Sequence, residues 1–163
     1  THVRDKDAVV ASMLICEMAA YYKAQGKTLF DVLDELYLEH GFYTHELINA
    51  VFEGAQGMQT MNNLMENLRE NKPTEIAGLS ITSFSDYLRS LTVDFVNNTK
   101  TPITLPKSNV LAFVLEGGAS VVVRPSGTEP KIKAYITATG PNAQEASEMA
   151  RRLTNATKKL LKV

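Results

Sequence analysis

Arg124, Ser126, Gly127 and Thr128 stand close together in the string Arg124-Pro125-Ser126-Gly127-Thr128-Glu129-Pro130, and Lys131 and Lys133 follow directly. These side chains suit an anion. A guanidinium offers a planar fork of donors matched to two phosphate oxygens and stays charged at physiological pH. Each hydroxyl can donate a further hydrogen bond, and Gly127 lets the backbone fold so that successive N–H groups face one concavity. Pro125 and Pro130 restrict φ at both ends, which lowers the entropy lost when the loop orders around a ligand. Glu129 is discordant beside a phosphate and is expected to pair with a lysine or to face away. The glycine spacing and Gly-Lys-Ser/Thr ending of a Walker A loop are missing, and no helical pattern follows that could lend a dipole. Ser, Gly and Pro also dominate ordinary turns. Residue types therefore leave two readings open, an anion clamp and a plain turn between strands.

The flanking segments must be strands for the loop to be held. Val110 to Leu115 and Ala119 to Val123 are β-rich runs joined through Gly117 and Gly118, whose positive φ suits a tight reversal. Ile132, Ala134, Ile136 and Ala138 alternate with Lys133, Tyr135, Thr137 and Thr139, so that strand shows one face to a core and one to water. A half-buried sheet needs a helical layer. One helix follows Pro141, with Asn142 as N-cap, Glu145 at the capping-box position, and Ala146, Met149, Ala150, Leu153, Ala156 and Leu160 on one face. Lys158, Lys159 and Lys162 lie at its negative end. A second helix is predicted over 57–70, where Met58, Met61, Met65 and Leu68 form an apolar stripe read as core. Phe42 to Phe52 reads as extended, Ile76 to Phe84 as a strand, and the Asn-, Thr- and Pro-rich stretch up to Lys107 as a connection. The fold class expected for 42–163 is α+β, an antiparallel sheet with two helices packed on one face.

Residues 1–41 read differently. A helix is predicted from Asp5 to about Gln25, and Ala8 to Cys16 is apolar nearly all round. A second helix, Leu29 to Glu39, is capped by Thr28 with Asp31 three residues on. Two helices cannot bury one another's whole circumference. This region is therefore read as the helical tail of a larger α/β domain, against the alternative of one compact α+β domain whose own sheet covers it.

The chain has 163 residues, 44% hydrophobic and 21% charged, which excludes wholesale disorder. A formal net charge of -1 provides no global basic field for nucleic acid, so any anion site must be local. The single Cys16 can form no internal disulfide and reads as buried packing. A cytoplasmic setting is expected, with no membrane partner, since no long apolar run and no signal-peptide pattern occurs. His2, His40 and His45 read as solvated side chains and not as metal ligands, because only the last two are close in sequence and no carboxylate motif supports them.

The string RPSGTEPKIKAY resembles the phosphate-binding loop in the C-terminal domain of the α-D-phosphohexomutases, the phosphoglucomutase and phosphomannomutase superfamily. VRDKDAVVASMLICEMAAYYK with LYLEHGFY is similar to the end of that family's third domain, and FEGAQGMQTMNNLMENLRENKP to the segment that opens the fourth. The resemblance implies that 1–41 is a remnant of the third domain, that 42–163 is the fourth, and that the chain is a C-terminal portion of a longer enzyme. It further implies a magnesium-assisted transfer of a phosphoryl group between the 1- and 6-positions of a hexose phosphate, through a phosphoserine and a hexose bisphosphate. Arg124, Ser126, Gly127 and Thr128 would hold the phosphate that is not being transferred, with Lys131 a weaker candidate. Lys6 resembles a cleft lysine of some members, though an ordinary charge in a helix's first turn accounts for it equally. No serine in the catalytic setting, no Asp-Gly-Asp-Gly-Asp metal loop and no Gly-Glu-Glu-Ser-Gly sugar loop is found. The metal site would thus lie outside this chain, whose expected partners are a sugar phosphate and the remaining domains. By itself it is expected to be inactive. A hinge is expected near Gly41 to Tyr43. A competing reading is a non-catalytic anion- or RNA-binding α+β module using Lys131, Lys133 and Tyr135.

Overall fold

The computed structural model describes residues 6–163, in two compact units, Thr1–Gly41 and Phe42–Val163. In the first, α1 (Ala8–Ala24) starts at Asp7, whose carboxylate accepts from the Val10 N–H at 2.9 Å. The expected start at Asp5 lies outside the described residues, as does His2. α2 (Leu29–His40) carries the full capping box, Thr28 and Asp31 each accepting from the other's backbone N–H, a motif that stabilises a helix by about 1 kcal/mol. Neither helix contains a buried residue; Val9 is 70% and Phe30 80% exposed. Cys16 is exposed, not buried as the sequence reading had it. Among the described residues much of the apolar run around it is exposed, although such a pattern calls for partners on several sides.

The second unit is an eight-stranded antiparallel sheet with two helices on one face. Its elements are β1 (Phe42–Val51), α3 (Gly57–Glu70), β2 (Glu75–Ile76), β3 (Leu79–Asp86), β4 (Leu91–Asp94), β5 (Thr99–Pro102), β6 (Leu111–Leu115), β7 (Ser120–Pro125), β8 (Lys131–Gly140) and α4 (Ala143–Leu161). The strands run in the order β1-β8-β7-β6-β3-β4-β5, and β2 pairs with β3. Ile132, Ala134, Ile136 and Ala138 of β8 are all buried, as are Val121 and Val123 of β7. Against this face pack Met61, Met65 and Leu68 of α3 and Ala150, Leu153 and Leu161 of α4. The α4 N-cap is as expected: the Glu145 N–H donates to Asn142 Oδ1 at 2.9 Å.

Three details depart from the sequence reading. The connection up to Lys107 contains the β4–β5 hairpin, with Leu91 opposite Pro102 and Asp94 opposite Thr99. β5 is exposed along its length, so no hydrophobic alternation announced it. The strand predicted over Ile76 to Phe84 is two, because the chain reverses at Ala77 and Gly78. Met58 at the head of the methionine stripe is exposed, while Met61 and Met65 are core. Between β6 and β7, Gly117 and Gly118 both take positive φ, +76° and +85°, as a tight reversal requires.

Candidate functional site

β7 and β8 are antiparallel neighbours in which Arg124 lies opposite Lys133 and Pro125 opposite Ile132. Successive side chains of a strand face opposite ways. Because Val123 and Ile132 are buried under the helices, Arg124 and Lys133 stand on the helix-free face, and Lys131 shares it. Each base is positioned by the neighbour that goes inward.

The loop between the strands is closed by its own backbone. The Ser126 N–H donates to the Lys131 carbonyl at 2.7 Å, and the Lys131 N–H to the Glu129 carbonyl at 2.8 Å. The N–H groups of Thr128 and Glu129 are directed at Ser126 Oγ, at 3.4 and 3.3 Å. The serine oxygen thus gathers the turn, while its own proton remains free to donate outward. Below the loop, the Phe52 N–H donates to the Pro130 carbonyl at 2.8 Å. Gly57, at the head of α3, fits closely there: a Cβ on it would come within 2.0 Å of the Phe52 carbonyl oxygen and 3.0 Å of Pro130 Cβ. Gly127 has no comparable need. Its φ is not positive and a Cβ would meet nothing within 4 Å, so its missing side chain leaves the mouth of the loop open.

Residues 124–129 with Lys131 and Lys133 surround a hollow of about 350 Å³. Arg124, Ser126, Gly127, Thr128 and Lys131 come together there; Lys133, which the family resemblance did not single out, lines it too. Its position two residues beyond Lys131 on an alternating strand was the signal for it. Glu129 lies with its carboxylate 4.0 Å from Lys131 Nζ. Among the described residues the side chains of Arg124 and Lys133 have no hydrogen-bond or ion-pair partner. Three cations and one carboxylate give the hollow a net positive charge, and two of the cations are uncommitted. A second hollow, of about 380 Å³, shares Arg124 to Gly127 and adds Asn62, Ser108 and Asn109. Sequence reasoning missed it because the segment before Val110 read as a featureless connection.

Lys6 belongs to the other unit; it is exposed and precedes the N-cap Asp7, so it is not in the first turn of α1. His45 Nδ1 lies 3.2 Å from Thr137 Oγ1 across the β1–β8 pair, and His40 lies beside Glu39. Among the described residues no group of three or more His, Cys, Asp or Glu side chains could hold a metal ion. No helix among them is long and apolar enough to cross a membrane.

Residues 47–156 match the model of the phosphoglucomutase/phosphomannomutase C-terminal domain. The phosphoglucomutases of Staphylococcus haemolyticus (strain JCSC1435) and Staphylococcus aureus (strain bovine RF122 / ET3-1) are 40% and 39% identical over 146 residues, covering 90% of this chain. The chain spans only 26% of the length of these relatives. The open form of pp63/parafusin, a phosphoglucomutase from Paramecium, superposes with a TM-score of 0.65 over 99% of this chain and 28% of that one; at 15% identity it speaks for the fold alone. With the family model covering most of the sheet, all of α3 and the greater part of α4, the chain belongs to the phosphoglucomutase/phosphomannomutase family.

Proposed function

We propose that the β7–β8 loop grips the phosphate of a hexose phosphate, and that this chain supplies the phosphate-holding part of an enzyme interconverting hexose 1-phosphate and hexose 6-phosphate. The observation that carries the reading is the hollow in which Arg124 and Lys133 stand without partners beside the Ser126 and Thr128 hydroxyls. A guanidinium fork, an ammonium and two hydroxyl donors complement a dianion with oxygens on several sides. Lys131 adds charge, moderated by Glu129. Because no charge is made or lost at the loop, it can hold whichever phosphate of a hexose bisphosphate is not reacting.

Transfer itself requires a nucleophile and, in this family, magnesium, which neutralises the charge on the moving phosphoryl group when bound. The described residues do not fit such a site; on this reading the loop's part is binding and orientation, and nucleophile and metal come from other parts of the enzyme. Units 1–41 and 42–163 correspond on this reading to the end of the third domain and to the fourth. Other parts of the enzyme cover the apolar faces of α1 and α2, and the enzyme works in the cytoplasm. Affinity of the loop alone is on the order of millimolar, because no opposing wall completes the site.

The test is a titration of the ¹⁵N-labelled chain with glucose 6-phosphate, with glucose as control. Amide shifts concentrated between Arg124 and Lys131, caused by the phosphate ester and not by glucose, are expected. Loop amides unmoved at tens of millimolar ligand, in both this chain and the intact enzyme, would leave the loop a plain turn.

A further inference from the structure

Lys131 and Lys133 line the same hollow but are placed differently. Lys133 lies directly opposite Arg124 in the β7–β8 ladder, and opposed residues of antiparallel strands carry their Cβ atoms about 4.5–5.5 Å apart on one face. Its amine therefore shares the neighbourhood of the guanidinium. It is partly exposed, and no carboxylate among the described residues pairs with it. Lys131 lies opposite Val51 in the β1–β8 ladder, and its Nζ is 4.0 Å from the Glu129 carboxylate. That carboxylate repels an anion on the Lys131 side, so a bound phosphate settles toward Arg124 and Lys133.

A primary amine held beside a bound phosphate has a chemistry that binding does not use, nucleophilic attack. The alkyl carbon of a sugar phosphate is inert to an amine. An acyl phosphate differs, because its electrophilic carbonyl carbon is joined to phosphorus through one bridging oxygen. Resting on the phosphate-grip reading, we propose that Lys133 is a modification site, acylated on Nζ by small acyl phosphates that the loop holds by their phosphate group. The unprotonated Lys133 Nζ attacks the acyl carbon. An N–C bond forms, the C–O bond to phosphate breaks with its electron pair going to the bridging oxygen, and the amine gives its proton to water. Arg124 stabilises the charge gathering on the departing phosphate, and a reagent held beside the amine replaces a chance encounter. The product is a neutral amide. The hollow thereby loses one of its two uncommitted cations, and its hold on phosphate weakens.

The experiment treats the chain with acetyl phosphate and reads the modification rate of each lysine by peptide mass spectrometry, with the exposed Lys158 of α4 as internal reference. Lys133 is expected to react about tenfold faster than Lys158 or more, to be protected by inorganic phosphate, and to lose its advantage in Arg124→Ala. Acetic anhydride, which carries the same acyl group without the phosphate, should show no such preference. Lys133→Gln, which carries a neutral amide as the acetylated residue does, should bind inorganic phosphate about tenfold more weakly in an amide titration, the loss of one hydrogen bond to a charged group. A Lys133 rate no higher than that of Lys158 or Lys131, or a preference that acetic anhydride reproduces or that survives Arg124→Ala, would overturn the modification site. Inorganic phosphate still moving the loop amides in the same sample would then leave the phosphate grip standing. A loop neither moved by inorganic phosphate nor selectively acylated would overturn both.

Discussion

Two arginines of the second unit show how differently one side chain can be used. Arg69, near the end of α3, is buried and all of its nitrogens are engaged, on Asp86, Glu66 and Asn109. Arg124, at the end of β7, is exposed and none of its guanidinium nitrogens has a partner among the described residues. A guanidinium out of water is tolerable only when carboxylates and amides replace its hydration, and once they do it cannot serve a ligand. An exposed, unpaired guanidinium adds little to stability and keeps its donors for an incoming anion. Arg69 therefore fixes the scaffold and Arg124 faces the chemistry, with Asn109 touching the first and lining a hollow with the second.

The largest effect that could break this contrast is on stability. Arg69→Ala leaves Asp86 buried without its main cationic partner, although Asp86 Oδ1 keeps the Leu88 and Arg89 N–H groups. A loss of about 3–5 kcal/mol in urea unfolding is expected; a loss under about 1 kcal/mol would show that the network adjusts freely. Arg124→Ala should do the reverse. Its unfolding free energy should stay within about 0.5 kcal/mol of the parent, while phosphate affinity, read from the amide titration, drops about tenfold or more, as for a hydrogen bond to a charged group. Destabilisation with binding unchanged would invert the assignment of the two arginines.

The join between scaffold and loop can be probed at Gly57. A Cβ there meets the carbonyl of Phe52, the residue whose N–H donates to the Pro130 carbonyl, so Gly57→Ala should cost about 1–3 kcal/mol through overpacking and shift the Pro130–Lys131 region in NMR spectra. An unmoved loop would mean that it is positioned by β7 and β8 alone.

The smallest effect concerns two carboxylates, Glu70 in the ionic rim around Arg69 and Asp94 at the end of β4. A hydrogen bond from Arg89 holds the Glu70 carboxyl below its usual pKa, and the Asn97 N–H does the same for Asp94. A folded-state pKa lower than the unfolded one contributes stability that is complete above the unfolded value, about pH 4–5, and is lost as pH falls through the lowered folded value. Urea midpoints should be flat from about pH 7 to about pH 5 and then fall. Glu70→Gln should remove part of that fall. A midpoint that rises on acidification would contradict the sign.

How much was legible in the sequence differs between these parts. The loop could be read because its neighbours along the chain do the positioning: alternation in β7 and β8 sends Val123 and Ile132 inward and so Arg124 and Lys133 outward. Arg69 looked like an ordinary charge at the end of an amphipathic helix, since nothing near it marks Asp86 as its partner. Asn109 is 40 residues from it in sequence. Cys16 was misjudged for a related reason: an apolar pattern states a demand for partners but does not say that they are present.

By itself the sequence determined whatever depends on residues a few positions apart. Apolar spacing along α3 and α4, the caps at Thr28 and Asn142, the glycine reversal before β7 and the donor-rich loop are all set by local backbone and side-chain chemistry. Only the tertiary structure decided which strands sit side by side, that an exposed polar stretch forms the β4–β5 hairpin, and that Arg69, Asp86 and Asn109 converge beside the loop. The physical reason is that a hydrogen bond or buried charge is specified by its partner. When the partner arrives through folding from a distant segment, no local pattern encodes the pairing.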